Sequence, residues 1–140
     1  MKAWRVVRYG RPSQALELCD VARPEPGPGQ ARVAVHATAA NFNEVDGCYG
    51  RYLTIHPPLP YTLGMELVGV VDAAGEGAEE WLGRRVMACA SGAFGAHAEY
   101  ALIEPAMCFA APESLDELEA AAFYFPFHVG WLALFECGRL

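Results

Sequence analysis

Residues Pro57 to Gly77, PPLPYTLGMELVGVVDAAGEG, commit this chain to a sheet. Prolines at 57, 58 and 60 hold the backbone extended. The chain then passes through Gly64-Met65-Glu66 into Leu67, Val68, Val70 and Val71, an apolar run of the kind a strand shows when both faces are buried. Gly75-Glu76-Gly77 supplies the turn that closes it. A loop that drops from a rigid proline segment straight into a buried strand holds Met65 and Glu66 at fixed positions, so the pair is the expected wall of a site.

Strand patterns surround this run. Ala3 to Tyr9 and Ala15 to Val21 read as a hairpin turned at Gly10-Arg11-Pro12-Ser13. Pro24 to Gly29, with three prolines and two glycines, is a loop. From Ala31 to Ala40 a period of two sets Val33, Val35 and Ala37 against Arg32, Ala34, His36 and Thr38. Asn41 is placed to cap a short helix carrying carboxylates in its first turn and ending over Gly47 to Gly50. Arg84 to Cys89 and Ala96 to Ile103 read as two more strands joined by a turn at Ser91 to Gly95, with a last short strand at Met107 to Ala111.

At Ser114 the period becomes helical. Ser114-Leu115-Asp116-Glu117 matches a capping box, and Leu115, Leu118, Ala121 and Ala122 follow at helical spacing. Pro126 is expected to break or kink that helix, with a second running from about His128 to Cys137 and ending on a left-handed Gly138. Eight Phe, Tyr, Trp and Leu residues from Phe123 to Phe135 exceed what two short helices hide, so something should cover them. The pattern predicts an α+β domain, mainly β, built as an antiparallel barrel with helices at the C-terminal end.

Composition excludes several classes of function. A net charge of -7, with ten basic residues scattered along the chain, leaves no footprint for phosphate backbones, and no nucleic-acid partner is expected. The five cysteines are odd in number and widely spaced, which fits reduced thiols in a cytoplasmic protein. The N-terminus is too charged for a signal peptide, and no segment approaches the ~20 apolar residues of a membrane span.

Three motifs in order, Ala39-Ala40-Asn41-Phe42-Asn43-Glu44-Val45-Asp46, Gly64-Met65-Glu66 and Gly95-Ala96-His97-Ala98-Glu99-Tyr100, carry a resemblance that covers nearly the whole chain. It resembles the N-terminal catalytic domain of the medium-chain dehydrogenase/reductase superfamily, most closely the zinc-free quinone oxidoreductase-like branch. The resemblance implies a GroES-like, partly open antiparallel barrel over residues 1–122. Residues 123–140 would then be a helical lead-in to a nucleotide-binding Rossmann domain, to be supplied in cis or in trans. It also implies hydride transfer from NADPH or NADH to a quinone or enone.

By the same resemblance Asn41 and Tyr52 are the catalytic candidates, with Asn41 beside the nicotinamide and the Tyr52 phenol donating to the substrate oxygen. Each has a structural alternative: Asn41 as a plain helix cap, Tyr52 as a core or surface aromatic. Phe42, Met65, Glu66 and His128 are expected around the substrate. Val129 stands where relatives place a hydroxyl on the cofactor side, which puts that hydrogen bond in doubt.

Zinc members of the superfamily ligate metal where this chain has Asn41 and Met65, and an amide and a thioether cannot replace a thiolate and an imidazole. The protein therefore reads as metal-free. His36, His56 and His97 share no ligand spacing, and Cys48 reads as an inert thiol. No strand followed by Gly-x-Gly-x-x-Gly occurs, so the dinucleotide site is not in this chain. On that basis Leu140 reads as an artificial or unusual terminus and the chain as inactive alone. The alternative is a stand-alone binding module that pairs through its aromatic segment with a nucleotide-binding subunit or with itself as a homodimer.

Overall fold

The computed structural model describes residues 1–52 and 55–140. Its elements are β1 (Lys2–Val6), α1 (Pro12–Ala15), β2 (Leu16–Asp20), β3 (Ala31–Thr38), α2 (Phe42–Cys48), β4 (Tyr61–Thr62), β5 (Glu66–Ala74), β6 (Arg85–Ala90), β7 (Tyr100–Ala110) and α3 (Glu117–Trp131). Strands β3, β5, β6 and β7 close on one another as an antiparallel barrel, and β2, β1 and β4 form a second, open sheet in that order. The expected first hairpin is present, with Lys2 opposite Asp20 and Val6 opposite Leu16.

The buried strand of the central run is β5. Leu67, Val68 and Val71 are sealed, and β5 lies between β3 and β6. Side chains from all four barrel strands fill the interior, among them Val33, Leu67, Val71, Val86, Ala88 and Ile103. Gly69 of β5 lets the neighbouring strand approach, since a Cβ there would stand 2.1 Å from the Ala34 carbonyl oxygen. Arg32, on the polar face of β3 by its period, is also buried; Asp72 takes its guanidinium at 2.9 and 3.1 Å and Glu25 lies 2.9 Å away.

Where two strands were expected, Ala96 to Ile103 and Met107 to Ala111, there is one, β7, which starts at Tyr100. Its first half pairs with β3, Ala31 opposite Ile103, and its second half with β6, Val86 opposite Ala110. Pro105 falls where the strand leaves one neighbour for the other, a point at which a missing N–H donor is tolerated.

The cap of α3 is Asp116 rather than Ser114. The Asp116 carboxylate accepts from the Leu118 and Glu119 N–H groups, both at 2.8 Å, and the Asp116 N–H donates to Glu119 at 3.0 Å. Asp116-x-x-Glu119 is a second capping box two residues on from the first. Glu117 is instead drawn to Arg85 and His36, at 3.3 and 3.1 Å.

Pro126 does not divide the helix, which runs unbroken to Trp131 and continues as a wider π-helical turn over Leu132–Cys137. Tertiary packing overrides the local preference: Ala120 and Ala121 seat on Val68, and Tyr124 on Met65, Met87 and Cys89. The joined segment Glu117–Cys137 is 21 residues long and contains an 18-residue window of mean hydropathy 1.3, by length and composition enough to cross a membrane, contrary to the expectation from a helix divided at Pro126. Gly138 is right-handed (φ -76°), and Arg139 takes the positive φ of 54°. Glycine is needed at 138 for space, since a Cβ would meet the Leu134 carbonyl oxygen at 2.8 Å.

Candidate active site

The Asn41 to Asp46 motif folds locally as expected. Asn41 caps α2 in extended conformation, and Glu44, three residues on, returns to accept the Asn41 N–H at 2.6 Å. The other Glu44 oxygen accepts the Met65 N–H at 3.0 Å. One buried carboxylate thus joins the start of α2 to the loop that enters β5.

Glu66 makes the complementary connection. Its side chain, 1% exposed, accepts from Asn41 Nδ2 at 2.8 Å through one oxygen and from the Phe125 N–H of α3 at 3.0 Å through the other. Its backbone carbonyl is held by the Thr38 hydroxyl at 2.6 Å. Burial pushes the Glu66 carboxyl above its ordinary 4.5; the bonds from Asn41 and Phe125 pull it down and the nearby Glu44 charge raises it further.

A carboxyl with a raised folded-state pKa holds its proton more tightly folded than unfolded. Its contribution to stability is therefore present below 4.5 and lost as pH rises through the folded value. Wild type is expected to lose stability relative to Glu66→Gln as pH is raised from about 4 to about 8, read by urea denaturation at each pH. A pH-independent difference would mean that Glu66 titrates as an ordinary carboxyl.

Tyr52 and Met65 share a pocket lined also by Asn43, Glu44, Gly47, Leu63, Ala93 and Phe94. Enclosed by this chain alone it amounts to ≈ 20 Å³, about one water-sized sphere. A ring-sized ligand needs a further wall. Tyr52 is half-buried against the apolar cluster of Met65, Met87, Cys89 and Tyr124. Burial, with Glu44 and Cys89 adding to it, raises its pKa above 10.0, so the phenol stays neutral and can donate a hydrogen bond.

The remaining expected residues lie elsewhere. Phe42 is 73% exposed at the first position of α2, outside the pocket. Val129 is 48% exposed on α3. His128 stands between Tyr124 and Phe109, ring centroids 5.4 and 6.0 Å away, on an apolar groove with Met87, Phe127 and Trp131. Cys48 is buried, and burial raises its thiol pKa, as befits an inert thiol. Glu44 is the functional candidate that sequence reasoning missed. The spacing Asn41-x-x-Glu44 was visible, but nothing local said that the carboxylate would be 7% exposed and aimed at Met65.

The residues present do not fit a dinucleotide. Among the described residues, α2 and α3 are capped at Asn41 and Asp116, each start filled by its own carboxylate, Glu44 or Glu119, and α1, whose start is uncapped, is only four residues long, too short to present a helix dipole to a pyrophosphate. Nor, among the described residues, do three His, Cys, Asp or Glu side chains converge in a metal-binding group.

The fold and sequence have known counterparts. The family model for the alcohol dehydrogenase GroES-like domain matches residues 27–113. Quinone oxidoreductase of Rattus norvegicus is 34% identical over 143 residues, which take in 99% of this chain and 42% of that protein. The human synaptic vesicle membrane protein VAT-1 homolog-like protein superposes with a TM-score of 0.92 at 30% identity, over 100% of this chain and 44% of the other. The quinone oxidoreductase of Thermus thermophilus, known also in complex with NADPH, gives 0.79 at 36% identity, over 97% and 40%. The chain thus spans about two-fifths of the length of these relatives. With a family match over more than half its length and relatives of one kind in sequence and in structure, the chain belongs to the alcohol dehydrogenase GroES-like domain family, as a quinone oxidoreductase-like N-terminal domain of the medium-chain dehydrogenase/reductase superfamily.

Proposed function

We propose that this chain is the substrate-side domain of a zinc-independent, NAD(P)H-dependent oxidoreductase that reduces quinones or enones, in the cytoplasm. The observation that carries the reading is the pocket shared by Tyr52 and Met65, in which a neutral, half-buried phenol stands beside an apolar wall. Tyr52 donates to the substrate oxygen as negative charge develops there, the role of a fixed donor in an excluded site. Asn41, its amide nitrogen held by Glu66, orients the reacting groups. The hydride belongs to a nicotinamide held by a nucleotide-binding domain in cis or in trans, which also closes the pocket against water. Asn41 and Met65, standing where zinc relatives carry ligands, support the zinc-free assignment.

The purified chain with NADPH and a benzoquinone is expected to show no turnover, and joining it to a nucleotide-binding domain is expected to restore it. In that joined protein, Tyr52→Phe should lower kcat by about 10²-fold. Turnover by the chain alone, or an unchanged kcat in Tyr52→Phe, overturns the reading.

A second reading, a non-catalytic binding module, is favoured by the face of α3 and its extension, where Phe127, Trp131, Leu134 and Phe135 are each 45% exposed or more. Concentration-dependent mass in light scattering supports self-association through that face.

A further inference from the structure

We propose that Glu66 is a positioning residue that ties the seating of α3 to the orientation of the Asn41 amide. A carboxylate only accepts, so its oxygen selects the nitrogen end of the Asn41 amide and fixes which way that side chain faces. The second oxygen is spent on the Phe125 N–H, and at 1% exposure no bulk water stands ready to replace either donor. Thr38 pins the Glu66 backbone from β3, and Glu66 pairs with Cys89 of β6, so the residue cannot follow a shift of α3 by moving its main chain.

Lifting α3 off β5 therefore strands a buried carboxylate oxygen. The nearest remedy is the second hydrogen of Asn41 Nδ2, and taking it turns the amide. The same helix lines, with Phe123, Phe127 and Trp131, a groove whose other wall includes Phe109 of β7, so whatever seats against that groove is felt at Asn41 through one side chain. The functional consequence rests on the reading of Asn41 as a catalytic-site residue; the coupling itself rests on the two bonds alone.

The test uses nuclear magnetic resonance on the 140-residue chain and requires no turnover. Glu66→Gln is isosteric but offers one acceptor where the carboxylate offers two. It should leave either the Phe125 amide exchanging roughly 5- to 10-fold faster with solvent deuterium, or the Asn41 side-chain amide resonances displaced. A second chain carries phenyllactate in place of Phe125, an ester that removes that donor and weakens the Tyr124 carbonyl as an acceptor while keeping every side chain, assembled by ligation at Cys108. Displaced Asn41 side-chain resonances in the ester chain are the expected result. Unmoved Asn41 resonances in the ester chain, or a Glu66→Gln chain in which neither reporter changes, overturn the proposal. Failure of the reductase assay would leave these readouts untouched, so the two ideas fail separately.

Discussion

Gly64→Ala is expected to abolish folding at ordinary temperature. Gly64 holds φ at +99°, and a Cβ there would stand 2.2 Å from His97 Cδ2 and 2.5 Å from the His97 backbone nitrogen. Neither segment can retreat. The His97 N–H donates to the Leu63 carbonyl at 2.8 Å and the Ala96 N–H to the Gly64 carbonyl at 3.0 Å, so the collision lies between two strands of backbone already bonded together. Left-handed strain alone costs about 1–2 kcal/mol, and a backbone clash on top of it belongs with the rare substitutions above about 4 kcal/mol. Gly77→Ala separates the two effects, having a similar φ of +84° with open space around the Cβ. Circular dichroism during urea titration should show a displaced midpoint for Gly77→Ala and no folded baseline for Gly64→Ala. Equal midpoints would mean that the loop before Met65 yields, and with it the fixed position of the pocket wall.

Leu67→Ala should cost about 2–5 kcal/mol. Leu67 is among the largest fully buried side chains of the described residues, with 0% exposure as the second residue of β5. Ladders to β3 and β6 on either side keep the barrel from collapsing into the cavity that alanine would leave. Against a total stability of about 5–15 kcal/mol for a domain, that is a large fraction, and a loss of ~3 kcal/mol lowers Tm by about 10 °C at this size. Leu118→Ala, at a position 75% exposed, removes the same atoms and should stay within about 0.5 kcal/mol of wild type. Comparable losses at both positions would contradict a core centred on β5.

The strands were legible where the pattern was strong, a period of two in β3 and a continuous apolar run in β5, and where the ends were marked by proline or glycine. They were less so at β7, because Pro105 reads locally as a terminator and only pairing with two different neighbours makes it tolerable. Helix α3 shows the same limit: both Ser114 and Asp116 head a capping box, and the choice fell to Arg85 and His36, which claim Glu117 from other elements. Family motifs pointed to Asn41, Tyr52, Met65 and Glu66. What they could not convey is that Glu66 faces Asn41 and Phe125 rather than the pocket, since that depends on where a helix dozens of residues away comes to rest.

The handover within β7 also sets an order of events as the chain folds. The β1 and β2 hairpin joins near neighbours and can form early, whereas the ring stays open until Ile103 reaches Ala31, a contact of long sequence separation whose loop-closure entropy must be met first. A nascent chain emerging from a ribosome therefore exposes the apolar face of β5 until residues past 110 are available, and closure of the ring is the step at which that exposure ends.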